Sequence, residues 1–316
     1  MSYIIDNHNQ NSKLLHINSE DATNNLSTIA KESYFQFFIG SQIKCNNNER
    51  MLISLHSATI PYSFYNIRDN INDTIPYLID DTYSTNQFIT IPKGNYTASS
   101  LKTLIGSLLS AQADITSTIS LSFDRTTMKF KYINSSNLQN LKLDFSKRND
   151  TAYIESGFST NEQSGSIDMD GLESSNVIDV NGSIHSLFLR TNLSQLGSID
   201  SNSGGFNTIL GKIPITSNFG GVLFFKPNNN THKILNQNNN INFLTVRLTD
   251  EKNRLVDLNG LNFSLSIQID FIYYKPEVVE TTPVRYLPNI KDLREIDPKL
   301  KRHEVKQEDK KRYLKN

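Results

Sequence analysis

LNFSLSIQIDFIYYKP, Leu261 to Pro276, alternates in polarity along almost its whole length. Leu261, Phe263, Leu265, Ile267, Ile269, Phe271 and Tyr273 fall on one side, and Asn262, Ser264, Ser266, Gln268 and Asp270 on the other. A period of two is the side-chain repeat of a β-strand, so these residues predict a strand ~43 Å long with one face against a second sheet and the other in water. Pro276 removes a backbone donor and closes it.

Similar patterns recur at a distance. YFQFFIG from Tyr34 and MLISLHSATI from Met51 read as strands. In the second, Leu52, Ser54, His56, Ala58 and Ile60 point one way and Ile53, Leu55, Ser57 and Thr59 the other. Pro61 should end or bend that ladder, delivering Tyr62, Phe64 and Tyr65 to a corner of the core or to a neighbouring subunit. SIHSLFLRTNL, GGVLFFKP and NFLTVRLTD add strands separated by loops rich in Asn and Gly. Strands from both ends of the chain must therefore pair across some 200 residues, as in Greek-key and jelly-roll sandwiches.

The middle of the chain differs. QFITIPKGNYTASSLKTLIGSLLSAQ predicts a strand, a turn and a helix with Leu101, Leu104, Ile105, Leu108 and Leu109 on one face, capped by Thr97, Ser99 or Ser100. TISLSFDRTTMKFKYIN predicts a hairpin in which Ile119, Leu121 and Phe123, then Met128, Phe130 and Tyr132, line one face. Residues 146 to 175 read as a polar connector. The fold class is all-β: a single jelly-roll sandwich, residues 34–69 and 176–280, with a small inserted α+β domain, 70–175. A polar arm (1–33) precedes it, order beginning at Tyr34, and a charged tail (281–316) follows.

Composition narrows the function. The chain has 316 residues, zero formal net charge and one cysteine, Cys45, which excludes an internal disulfide or a structural zinc site and fits a reducing compartment. No basic leader with an apolar segment and no 18-residue apolar run occurs, so neither secretion nor membrane spanning is expected. Residues 283 to 316 hold eleven Lys/Arg against six Asp/Glu, leaving the remainder at −5. Lys299, Lys301, Arg302, Lys306, Lys310, Lys311 and Arg312 suit docking on another protein, or nucleic acid by counterion release, and a solvated tail is the plain alternative.

Catalytic signals are weak. His8, His16, His56, His185, His232 and His303 lack metal-binding spacing. Asp168, Asp170 and Glu173 around Gly171 read as a turn before a calcium loop. Gly204-Gly205 and Gly220-Gly221 lack a phosphate-loop context, Cys45 has only Lys44 beside it, and sequons such as Asn95-Tyr96-Thr97 follow from composition. No catalytic, cofactor-binding or metal-binding residue is assigned, no cofactor is expected, and the chain reads as no enzyme.

ISLHSATIPYSFYNI, ITIPKGNYTASSLKTLIGSLL and FLTVRLTDEKNRLVDLNGLNFSLSIQIDFIYY together resemble the penton, or minor capsid, proteins of virophages and Polinton-type viruses of the Mavirus and Sputnik groups, over roughly residues 30 to 275. The resemblance implies a single jelly roll with an inserted outer domain, a homopentamer at the fivefold vertices of an icosahedral virion, a trimeric double-jelly-roll major capsid protein as partner, and host-receptor contact through the insertion. It assigns no individual contact residue. Two other functions fit a β-sandwich: an attachment protein that binds carbohydrate, needing exposed aromatics beside carboxylates or amides, and a cupin-like enzyme, needing a His pair near a Glu.

Overall fold

The computed structural model describes residues 11–46, 49–136, 139–181, 184–193, 198–200, 205–228, 233–236 and 240–273. The charged tail, residues 281–316, lies outside them, as do His8, His232, His303 and Gly204. In chain order the first strands are β1 (Asn11–Asn18), β2 (Asn24–Asn25), β3 (Tyr34–Lys44) and β4 (Glu49–Pro61). Then come β5 (Thr74–Ile79), β6 (Phe88–Thr90), helix α1 (Ala98–Ser110), β7 (Ile119–Asp124), β8 (Lys129–Asn134), β9 (Leu141–Leu143), the single turn α2 (Tyr153–Ser156) and β10 (Leu172–Glu173). The chain continues through β11 (Ser186–Thr191), β12 (Ser198–Asp200), β13 (Gly205–Asn207), β14 (Ile209–Pro214), β15 (Val222–Phe225), β16 (Ile234–Asn236), β17 (Asn240–Thr249) and β18 (Ser264–Tyr273).

Two antiparallel sheets build the sandwich. One has the order β1-β18-β4-β15, with β16 also on β4, and the other β14-β11-β17-β3-β2. Take the principal strands in sequence as one to eight, β15 and β16 sharing sixth place. The sheets then run 1-8-3-6 and 2-7-4-5, the two interlocked Greek keys of a jelly roll. Between them lies a continuous apolar core in which Phe35, Met51, Ile53, Leu187, Leu189, Leu244, Val246 and Ile267 are fully buried. Phe35 meets Phe263 across it at 5.8 Å between ring centres.

β18 pairs with β1 on one side and with β4 on the other, joining segments more than 200 residues apart. Leu265, Ile267, Ile269 and Phe271 enter the core as the alternation predicts, but the strand begins at Ser264 and Leu261 is exposed. Asp270, expected in water, is buried on the outer face. Burial alone would raise its pKa, but hydrogen bonds from Lys233 Nζ (2.7 Å), Ser12 Oγ and Gln268 Nε2 (2.8 Å) hold it below the ordinary carboxylate value.

Two expectations are corrected here. Residues 11 to 33 are no arm: β1 runs the length of β18 from Asn11↔Phe271 to Asn18↔Ser264, Ile17 is buried, and β2 pairs with β3. The polar side chains of Asn11, Ser12, Asn18 and Asn24 suit an edge strand, whose ladder needs only backbone groups. The strict alternation of β4 also fails. Its register against β18 jumps from Ser57 to Leu55, so His56 forms a bulge. One extra residue shifts the facing of everything beyond it, and Met51, Ile53 and Leu55 before the bulge and Ala58 and Ile60 after it all reach the core.

Between β4 and β11 the chain builds a second core, from Ile67 to Ile178. The capping box at Thr97 and Ser100 forms, starting α1 where the sequence places it, and α1 buries Leu101, Ile105 and Leu109 against the β7–β8 hairpin. Gly106 permits this approach, since a Cβ there would lie 3.3 Å from the Ile119 carbonyl oxygen. Met128 leaves the hairpin face: it sits in the turn at φ 55° and is exposed. The stretch read as a connector is structural, because Ala152, Phe158 and Ile167 are buried and β10 extends the hairpin sheet. Its apolar residues are too sparse for periodicity to reveal them.

Candidate functional site

The segment Tyr62–Arg68 carries the chain from the first core to the second, and alternate residues serve different bodies. Tyr62 and Phe64 close the end of the sandwich with ring centres 4.5 Å apart, and Ile67 belongs to the second core. The aromatics after Pro61 are thus mainly corner packing, while Tyr65, only partly buried, stands 6.3 Å from exposed Phe219.

The polar residues of the segment knit the bodies together. Asn66 Nδ2 donates to the carbonyls of Tyr96 (2.7 Å) and Val180, and its Oδ1 accepts from the Tyr96 amide (2.9 Å). Asn72 Nδ2 donates to the Asn66 carbonyl at 2.7 Å and to Glu155 Oε1 at 2.5 Å. Arg68 donates from Nη1 to Asp250 Oδ2 at 3.2 Å, and the same oxygen accepts from Arg254 Nε at 2.7 Å. Asp250 comes from the sandwich and Glu155 from the insertion, so the network spans the junction. Desolvation, with a smaller push from Asp179, raises the Glu155 carboxyl to about 7, against the opposing hydrogen bonds from Asn72 and its own backbone amide and the charge of Arg68. Burial and the neighbouring Arg254 lower Arg68, whose Nε and Nη2 have no hydrogen-bond partner among the described residues.

Beside the corner lies a cleft of about 370 Å³. The start of α1, Val180, Asn181, Ile184 and His185, and the loop between β14 and β15 form its walls. The last loop is pinned to the corner by the Tyr62 amide donating to Gly221 (2.9 Å) and the Gly220 amide donating to Tyr62 (2.8 Å), with Gly220 at φ 82°. This explains the Gly220-Gly221 pair as turn geometry.

The sandwich flanks also carry exposed apolar residues. On the β14-β11-β17-β3 sheet Phe38 and Phe243 are paired cross-strand neighbours, 62% and 44% exposed. On the opposite sheet Leu14, Leu235, Val222 and Phe224 are exposed, with Phe224 at 67%. The sequence placed Phe38, Phe224 and Phe243 on strands, in YFQFFIG, GGVLFFKP and NFLTVRLTD, but not on an outer face.

The other singled-out residues have local roles. His16 Nδ1 lies 2.8 Å from Ser266 Oγ, and His185 Nε2 lies 3.0 Å from Asp179 Oδ2. Asp168 Oδ1 accepts from the Gly171 amide (2.8 Å), closing a turn with Gly171 at φ 85°. Cys45 is half-buried, and burial pushes its thiol up, away from nucleophilic character. Gly205 opens the short strand β13. Among the described residues no group of three His, Cys, Asp or Glu could hold a metal ion, and no helix is long and apolar enough to cross a membrane.

No family model and no curated protein matches the sequence. Among solved structures, the crystal structure of SeMet-labeled mavirus penton protein aligns at 12% identity over 82% of this chain and 99% of that one, with a TM-score of 0.48.

Proposed function

We propose that the chain is a structural capsid subunit of the penton type that assembles as a homopentamer at the fivefold vertices of an icosahedral virion, without enzymatic activity. The observation that carries this reading is the presence of apolar side chains on two different flanks of one jelly roll: Phe38 and Phe243 on one sheet, Phe224, Val222 and Leu235 on the other. A cyclic ring needs a head-to-tail contact, in which one surface of the protomer meets a different surface of its neighbour. A sandwich of two sheets with exposed apolar side chains on each outer face meets that requirement. The backbone edges at β1 and β14 would be covered in such a ring, answering the hazard of an open edge strand. Contacts that hold a stable ring bury ~1,600 Å² or more, with a few aromatic anchors.

In this reading the trimeric double-jelly-roll major capsid protein surrounds the ring, the insertion faces outward toward a host receptor, and the charged tail docks on neighbouring capsid protein rather than on nucleic acid. Light scattering and single-particle averaging of the purified protein test it: fivefold rings are expected. Phe38→Asp or Phe224→Asp should yield folded monomers with an unchanged protomer melting temperature, since both side chains are exposed in the single chain. A wild-type protein that stays monomeric at high concentration and is absent from virion vertices would reject the assignment.

A further inference from the structure

The corner cleft has a composition the capsid role does not use. Phe219 projects 43% exposed at its rim, edge-on to Tyr62 with ring centres 5.8 Å apart, and the Tyr65 ring centre is 6.3 Å away. Around these rings stand Asn95, Asn181 and Asn218, whose carboxamides make no hydrogen bond among the described residues, and His185. Asn66, by contrast, spends its whole amide on the backbone, so the wall behind is fixed. Among the described residues no lysine, arginine, aspartate or glutamate lines the space, burial pushes the Tyr62 and Tyr96 hydroxyls up so that both stay neutral, and His185 is engaged by Asp179 at 3.0 Å.

These features define the ligand chemistry. A phosphate or sulfate would find no cation to neutralise it, and a hydrophobic ligand would strand three carboxamides without water. Each carboxamide offers two donors and two acceptor lone pairs, which matches vicinal hydroxyls, and an exposed aromatic ring offers a flat apolar face beside them. We propose that this cleft is a binding site for a neutral saccharide, with Phe219 as the stacking platform and Asn95, Asn181 and Asn218 as the hydroxyl-reading groups. A volume of about 370 Å³ lies at the small end of ligand clefts, ~300–1,000 Å³, and suits a terminal sugar unit more than a long chain. The two backbone hydrogen bonds that pin the Gly220-Gly221 loop preform it, so little ordering entropy is spent on binding.

The test uses the full-length protein against an array of neutral and charged glycans, followed by saturation-transfer NMR and calorimetry with the neutral mono- and disaccharides. Binding in the micromolar to millimolar range is expected, lost at least ~10-fold in Phe219→Ala and in Asn181→Ala, each factor of ten corresponding to about 1.4 kcal/mol. Asn181→Ala should keep the wild-type melting temperature and oligomeric state, because its side chain is exposed, and Phe219→Ala should stay folded and cooperative with a melting temperature only slightly lowered by the loss of its ring contacts with Tyr62 and Tyr65. Binding to no neutral glycan up to millimolar concentration, binding to anionic glycans alone, or neutral-glycan binding indifferent to both substitutions would each overturn the proposal. Sugar binding can be read on monomer or ring alike, so its failure leaves the assembly reading standing, and the reverse.

Discussion

At Glu155 a carboxyl group is held where water cannot hydrate its charge, 2% exposed, with Asn72 as its side-chain donor. Its folded pKa of about 7 lies above the ordinary 4.5, so between those values the native state binds more protons than the unfolded chain. Stability contributed by this group is therefore fully present below pH ~4.5 and declines as pH rises through ~7, a loss of roughly 3 kcal/mol. Glu155→Gln keeps an oxygen to accept from Asn72 and removes the titration. The variant should melt like wild type at pH 5 and at a higher temperature at pH 8, the difference between the two proteins growing with pH. A constant difference would mean that Glu155 is ionised throughout, its charge offset by Arg68.

At the scale of elements, β1 shows how an edge strand can hide in a polar sequence. Its eight residues pair with β18 chiefly through backbone, and Ile17 alone is buried in the core. Ile17→Ala should cost about 2–3 kcal/mol in denaturant unfolding, at the low end for a buried isoleucine because an edge site can relax. A cost near zero would put residues 11–18 back among dispensable arms. The same logic separates what was legible from what was not. β18, α1 and the β7–β8 hairpin were readable because each buries a full face, so the period is written into apolar side chains. β1, the His56 bulge and the 146–175 stretch were not, because backbone pairing, one extra residue and scattered buried positions leave no period. The corner cleft is assembled from Tyr62, Asn95, Asn181, His185 and Phe219, spread over more than 150 residues, and no local spacing could have grouped them. The single available hint was IPYSFYNIR itself, too aromatic and too rigid for an ordinary loop.

At the scale of the whole molecule, the question is whether the jelly roll needs what is inserted into it. β4 and β11 occupy different sheets, and their ends at Pro61 and Ser186 are bridged by a body with its own apolar core. The apolar residues of the two cores do not mix, Tyr62, Phe64 and Ile184 belonging to one and Ile67 and Ile178 to the other. What joins them is polar: Asn66, Asn72 and the Arg68–Asp250 pair. Replacing residues 67–181 with a short Gly/Ser linker removes Arg68 and Glu155 together and leaves Asp250 still paired with Arg254 at 2.7 Å, so no unpaired charge stays buried. The shortened chain should keep a β-type circular dichroism spectrum and a cooperative melt, and should still form rings, since Phe38, Phe243 and Phe224 remain on its flanks. It should lose sugar binding, because Asn95 and Asn181 go with the insertion. A shortened chain that fails to fold would mean that the polar junction is part of one indivisible core. A folded but monomeric one would move the ring contacts from the sandwich flanks to the insertion.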